Sequence, residues 1–326
     1  MRILITGLSG FAGKHLIEFL SGTGKHEFLG LDLNCSAGDL EIGDSKLKEE
    51  KADLLDRNKV EKIISDFKPQ QIYHLAAQSS VSRSWKDPIG TFSINVLGGI
   101  NILDSVRSSV PETRVLIICT AEEYGEIEDN RAIKETDKIY PNNPYAISKS
   151  AMDFTSMVYH KAYNLNIMVS RSFNHIGPGQ SEGFVCSDFA RQIALIEAGE
   201  QKPEIMVGNL DSRRDFLDVR DVVCAYWHIM NKGKPGQVYN VCSGKPVKIS
   251  KLLEILLSLS KISGIEVKKD KDKFRPIDIE TIFGDNSRLV SDTDWKSIYS
   301  LENSLGDALE WWRTKVKDPS GDKKCG

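Results

Sequence analysis

The stretch Arg2-Ile3-Leu4-Ile5-Thr6-Gly7-Leu8-Ser9-Gly10-Phe11-Ala12-Gly13 decides the fold. An apolar, strand-like run ends at Thr6, three glycines follow at a fixed spacing, and a helical pattern begins, with Ala12, Leu16 and Leu20 on one face of Phe11–Ser21. Glycines spaced in this way let the backbone turn tightly and approach a pyrophosphate, whose charge is held by amides at the helix start. Gly7, Gly10, Phe11, Ala12 and Gly13 are therefore candidate cofactor contacts. A second strand-like run, Glu27–Asp32, ends on a carboxylate that would accept from ribose hydroxyls and repel a 2′-phosphate. The sequence accordingly predicts NAD(H) in preference to NADP(H), the other reading of Asp32 being a cap on the strand-to-loop turn.

Outward from this motif the first half alternates short β-rich runs with amphipathic helical ones. Gln71–Ala76, Arg114–Thr120 and Asn166–Ser172 continue the strands, and Arg57–Phe67 adds a helix. The pattern is that of an α/β chain, a Rossmann-type doubly wound parallel sheet with helices on both faces. After Phe173 the rhythm loosens through Gly177, Pro178, Gly179 and Gly183. We expect an NAD-binding domain over 1–173, completed by parts of 214–245, and a smaller C-terminal α/β substrate-binding domain over 174–316. A charged, mobile tail is expected over 317–326, where Pro319, Ser320 and Gly321 fall.

Composition narrows the class. The 326 residues are 40% apolar and 27% charged, which suits a folded globular chain. With 43 basic and 46 acidic side chains the net charge is −3, which argues against nucleic acid as the main partner. Six scattered cysteines form no Cys-X-X-Cys pair, so neither a metal site nor a disulfide framework is expected. The apolar run at the N-terminus is too short for a signal peptide and no stretch of about 18 apolar residues follows, so a cytoplasmic protein without membrane contact is expected.

Tyr145 and Lys149 stand four residues apart in a segment that reads as helical after Pro144, so both fall on one face. Thr120 ends an apolar strand, and in this fold the carboxyl ends of strands form the ligand crevice.

With these residues, the chain resembles the extended short-chain dehydrogenase/reductase family, the NAD-dependent nucleotide-sugar epimerases and dehydratases. The motifs that carry the resemblance run through most of the chain: Thr6 to Gly13, His74-Leu75-Ala76-Ala77-Gln78-Ser79, Thr120-Ala121-Glu122-Glu123-Tyr124-Gly125, Tyr145-Ala146-Ile147-Ser148-Lys149, Phe173-Asn174-His175-Ile176-Gly177-Pro178-Gly179, Arg214-Asp215-Phe216 and Arg275-Pro276. Within the family the segments Ser172–Val185 and Gly208–Phe216 are most similar to the GDP-mannose branch, and in it to reductases of GDP-4-keto-6-deoxymannose. The resemblance implies reduction of that 4-keto group to GDP-rhamnose or its talose epimer. Tyr145 would deliver the proton, Lys149 would hold the nicotinamide ribose and favour phenolate, and Thr120 would orient the substrate oxygen. It further implies cofactor contacts from Asp53, Leu54, Leu75, Ala76, Ala77, Ser79 and His175, and substrate contacts from Gln78, Asn174, Arg214 and Arg275, the two arginines facing the diphosphate.

The shared motifs leave the reaction open. A 4,6-dehydratase needs an acid and a base beside the strand end, and Ala121 supplies neither, which favours simple reduction. Glu122 remains, either as a base or as an acceptor for a sugar hydroxyl. A nucleotide-sugar 4-epimerase and a non-catalytic NAD-binding regulator complete the alternatives. The expected partner is a GDP-linked sugar, and the resemblance also implies a homodimer joined through two helices. Val96, Ile100 and Leu103 on one, and Met152, Met157 and Tyr163 on the other, are the candidate contacts, the other reading being burial inside one subunit.

Overall fold

The computed structural model describes residues 1–35, 38–126, 131–273 and 279–318. Chain order runs β1 Arg2–Thr6, α1 Phe11–Ser21, β2 Glu27–Asp32, β3 Gly38–Ile42, β4 Ser45–Lys51, α2 Arg57–Phe67, β5 Gln71–His74, α3 Val81–Lys86, α4 Pro88–Phe92, α5 Gly98–Ser109, β6 Arg114–Thr120, α6 Pro144–Tyr163 and β7 Asn166–Ser172. It continues with β8 Asn174–Ile176, α7 Val185–Glu197, β9 Glu204–Val207, β10 Arg213–Asp218, α8 Val219–Lys232, β11 Val238–Val241, β12 Pro246–Lys248, α9 Ile249–Ser258, β13 Glu266–Lys269, β14 Thr281–Ile282, α10 Ser287–Thr293 and α11 Leu301–Lys317.

Eight strands form the main sheet in the order β11-β7-β6-β5-β1-β2-β4-β3, every pair parallel except the edge pair of β3 and β4. Side chains alternate across it, as the two-residue period of a strand requires. Ile3 and Ile5 face one side with Leu16, Leu20, Val222 and Tyr226, so α1 and α8 cover that face. Leu4 faces the other with Val60, Ile102, Leu103 and Met152, so α2, α5 and α6 cover it. Strand order reverses between β1 and β5, and the ligand crevice of such a sheet opens outside the carboxyl ends at that reversal. The glycine turn after β1 lies at this point.

At Phe173 the chain leaves the main sheet. β8 pairs parallel with β10, which also pairs with β12 and β14, and a third apolar cluster lies beneath α7, α9 and α11. The chain then returns to the main sheet through α8 and β11, which lies beside β7. α11 extends through Lys317, one residue into the segment expected to be a tail, and residues 319–326 lie outside those described.

The helical stretch from Pro88 to Ser109 is long and apolar enough to cross a membrane by length and composition. Its Ile102, Leu103 and Val106 are nevertheless fully buried against the sheet. The stretch is not a uniform helix: Ser93–Leu97 widens into a π-turn around buried Asn95. The Asn95 amide is drawn out of register by hydrogen bonds with both backbone groups of Gln78 and with the Ser148 hydroxyl.

Two of the expected dimer contacts are corrected here. Leu103 and Met152 are both 0% exposed and pack inside the subunit, because they point to the sheet and not away from it. The large apolar side chains that these helices leave exposed are Ile89, Phe92, Leu97, Ile147, Phe154, Val158 and Tyr163.

Candidate active site

The glycine turn is built to leave room. Gly7 has φ +73°, where a Cβ is strained, and a Cβ there would lie 2.8 Å from the Ala76 backbone. Gly13 is tighter still, since its Cβ would lie 2.4 Å from the carbonyl oxygens of both Gly7 and Leu8. The loops after β1 and β5 therefore touch backbone to backbone. Thr6 ties them: its hydroxyl accepts from the Ala76 amide at 3.2 Å and bonds to His74 Nδ1 at 2.8 Å. Burial pulls the His74 imidazole down to about 3, so this partner stays neutral.

Gly10 caps α1 with no side-chain hydrogen bond to the first turn. A helix start whose amides lack a side-chain cap, cradled by glycines, fits the pyrophosphate of a dinucleotide. Asp32 stands beside this turn, accepting from the Ser9 amide at 3.2 Å and the Asn34 amide at 3.3 Å. Phe11 stacks on His175 with ring centroids 5.8 Å apart, and His15 bonds the Pro178 carbonyl at 2.8 Å. The helix start thus reaches across to the segment after β7, with Ala12 partly buried behind it.

The second cluster forms at the end of β6. Thr120 is the N-cap of a single helical turn, Ala121–Tyr124, and its hydroxyl accepts from the Glu122 amide at 3.3 Å. The same hydroxyl is hydrogen-bonded to the Tyr145 phenol. Tyr145 stands at the start of α6, which Asn143 caps by accepting from the Ala146 amide at 2.8 Å. One turn on, buried Lys149 donates from Nζ to the Ile118 carbonyl at 2.6 Å. Thr120 and Tyr145 thus meet at the end of β6, and Lys149 reaches the same strand one turn further along α6.

Their electrostatics differ from the expected arrangement. Burial is the largest influence on Tyr145 and pushes its phenol above the usual value, the Thr120 hydrogen bond pulling the other way. Burial likewise lowers Lys149. Lys149 gives one of its three donors to Ile118, and burial holds the phenol neutral and suited to donate a proton. Glu122 meets the loop before α6, accepting from Asn143 Nδ2 at 3.2 Å, and Ala121 is buried beside it.

Among the remaining expected residues, Gln78 is held by its own loop. Its Nε2 donates to the Ser80 carbonyl and the Thr91 hydroxyl and its Oε1 accepts from the Ser80 amide, so the side chain braces its own loop and has no donor left for substrate. Leu54 is a core residue with its carbonyl taken by Asn101, and exposed Asp53 accepts from the Leu55 amide. Leu75 and Ala77 are half-buried beside Ala76, and Ser79 is exposed after them. Asn174 is exposed and donates to the Asp215 carbonyl at 3.1 Å. Arg214 lies on β10 between β12 and β14, and Arg275 lies outside the described residues.

Three buried charged groups receive no role from the sequence, although Asp215 and Glu123 lie within its motifs. Asp215 is 0% exposed and accepts from Ser243, Gly244 and Gly284, pinning two segments to β10 beside Arg214. Glu123 and Arg171 are charged residues that read as solvent-facing and are buried.

The family model described as GDP-mannose 4,6 dehydratase matches residues 4–307. The chain is 34% identical to the GDP-6-deoxy-D-mannose reductase of Pseudomonas aeruginosa over 318 residues, covering 97% of this chain and 99% of that protein. It is 26% identical to the GDP-mannose 4,6-dehydratase of Vibrio cholerae over 345 residues, 94% of this chain and 92% of that protein. The solved structure of the RMD protein of Pseudomonas aeruginosa complexed with NADPH is 33% identical, with a TM-score of 0.85 over 97% of this chain and 99% of that one.

Proposed function

The chain belongs to the GDP-mannose 4,6-dehydratase family of NAD(P)-dependent nucleotide-sugar enzymes, within the extended short-chain dehydrogenase/reductases, and from this premise we propose that it reduces the 4-keto group of GDP-4-keto-6-deoxymannose. The product is GDP-rhamnose or its talose epimer. The observation that carries this reading is the Tyr145 phenol, kept protonated by burial and hydrogen-bonded to Thr120 at the crevice end of β6. Reduction needs an acid at that point, and a neutral phenol supplies it. The bound dinucleotide supplies the hydride. Thr120 orients the ketone oxygen, Lys149 holds the cofactor ribose, and Arg214 and Arg275 neutralise the diphosphate.

Dehydration is the second reading, since Glu122 is present and hydrogen-bonded to Asn143. Buried Ala121 beside it offers no proton-transfer group. Incubation with GDP-mannose and NAD+, without reductant, is therefore expected to leave the sugar unchanged, and accumulation of the 4-keto product would establish the dehydratase instead.

We assign NADH as the preferred cofactor, because the Asp32 carboxylate beside the glycine turn would meet a 2′-phosphate with like charge. The NADPH in the Pseudomonas structure makes this a sharp test. NADH should exceed NADPH in kcat/KM by about tenfold or more, the equivalent of about 1.4 kcal/mol, and Asp32→Ser should narrow the gap. A preference of the wild type for NADPH would remove the assignment. We further place a second copy of the chain on the exposed face that carries Ile89, Leu97, Phe154 and Val158, which light scattering would report as a doubled mass. A cytoplasmic setting fits the scattered cysteines.

A further inference from the structure

Beneath the strand end that carries Thr120 lies a charged cluster that the reduction itself does not use. Glu123 is 0% exposed and turns back under β6, its Oε1 accepting from the Thr120 amide at 3.2 Å. Facing it are Cys119 from β6, Asp153 and Lys149 from α6, Arg171 from β7 and Tyr124 beside it, with Glu122 and Tyr145 on the crevice side. Arg171 is committed elsewhere: Nε donates to Asp153 Oδ2 at 2.8 Å, and its NH1 group donates to the Tyr124 hydroxyl and the Glu135 carbonyl. Its Nε stands 3.5 Å from Glu123 Oε2, an ion-pair distance.

Glu123 Oε2 is in consequence a buried oxygen with no hydrogen-bond donor among the described residues. The Lys149 ammonium faces the cluster but donates to the Ile118 carbonyl, so Arg171 is the one cation at ion-pair distance from the two carboxylates among the described residues, and their negative charge has no water to spread into. Two ionised carboxylates cannot hydrogen-bond each other, since both only accept; one proton between them turns the orphaned oxygen into a donor. A cation would serve poorly in that place. Cys119, Glu123 and Asp153 do bring ligand atoms within 4.8 Å of one another, but the Arg171 guanidinium already occupies Asp153, and burial pushes the Cys119 thiol up and keeps it protonated.

We propose that Glu123 is a positioning residue that works as a neutral carboxylic acid, donating to Asp153 through Oε2 and holding the Thr120 amide through Oε1, so that Thr120 is fixed while this proton is in place. The kinetic arm of the test rests on the reductase reading; the stability arm does not. Burial first, and Asp153 second, push the Glu123 carboxyl up from 4.5 to about 8, with Arg171 and the Thr120 amide acting against them. A folded-state value above the unfolded one favours folding fully below 4.5, and that contribution is lost as pH rises through about 8.

Melting temperature and steady-state rates are measured from about pH 5 to about pH 9 for the wild type, Glu123→Gln, Asp153→Asn and Glu123→Leu. The wild type should lose melting temperature over this range and lose kcat on an alkaline limb, with KM for the cofactor unmoved. Glu123→Gln, whose amide donates at every pH, should flatten both profiles. Asp153→Asn should reduce the melting slope without abolishing it, because burial, the larger cause, still acts on Glu123. Glu123→Leu should lose about tenfold in kcat through a misplaced Thr120, and the glutamine should restore most of it. A wild-type limb and melting slope unchanged in Glu123→Gln, or a leucine variant equal to the glutamine variant throughout, would overturn the proposal. If no variant turns over the keto-sugar, the melting profiles still decide it.

Discussion

Tyr145→Phe lowers reduction by about two orders of magnitude or more while leaving cofactor affinity and melting temperature close to wild type. The substitution deletes one oxygen at the place where β6 and α6 meet. Thr120 loses its phenol partner but keeps the Glu122 amide, so the strand end stays capped and the fold has no reason to loosen. What disappears is the acid. As hydride reaches the ketone carbon, charge grows on its oxygen, and the neutral phenol would otherwise quench it within one hydrogen bond. Cofactor titration beside turnover separates the cases: a variant with near-normal turnover would remove Tyr145 from the chemistry, and one that fails to bind cofactor would report damage to the fold.

The second large effect is steric. Gly13→Ala should destabilise the chain by about 1–3 kcal/mol and weaken dinucleotide binding by about tenfold or more, since the added methyl cannot occupy its place without moving backbone. That methyl would stand 2.4 Å from two carbonyl oxygens of the turn it must preserve, so α1 has to shift away from β1. Because the same turn aims the helix-start amides at the pyrophosphate, stability and binding fall together. A graded comparison gives the effect its meaning. Gly10→Ala brings its Cβ to 3.1 Å from the Gly7 carbonyl and should be milder, and Gly183→Ala meets nothing within 4 Å and should be silent in both measurements. Equal losses at Gly13 and Gly183 would show that the cradle is not what binds the cofactor.

These two expectations draw on residues that the sequence shows directly. Strands such as Arg2–Thr6 and Arg114–Thr120 are visible because a buried parallel strand is apolar along its whole length, and Thr120, Tyr145 and Lys149 lie at fixed offsets from such strands and helices. β5 stops at His74 where the sequence suggests Ala76, because Leu75 and Ala76 leave the ladder to bond with Thr6. The β3 and β4 pair escapes reading since its residues are mostly charged or exposed, as suits a sheet edge. That Gln78 also braces its own loop is not legible in the motif, because Thr91 comes to it only when the chain folds. Glu123 and Arg171 are hidden for a related reason: in sequence each is one charge among many, and burial exists only when β6, β7 and α6 are assembled.

Reduction is tested most directly by supplying the purified chain with GDP-4-keto-6-deoxymannose and NADH, following loss of NADH, and identifying the sugar formed. One NADH should be oxidised for each keto-sugar consumed, with GDP-rhamnose or its talose epimer as the product. NADH left intact under conditions where the chain binds both ligands would contradict it.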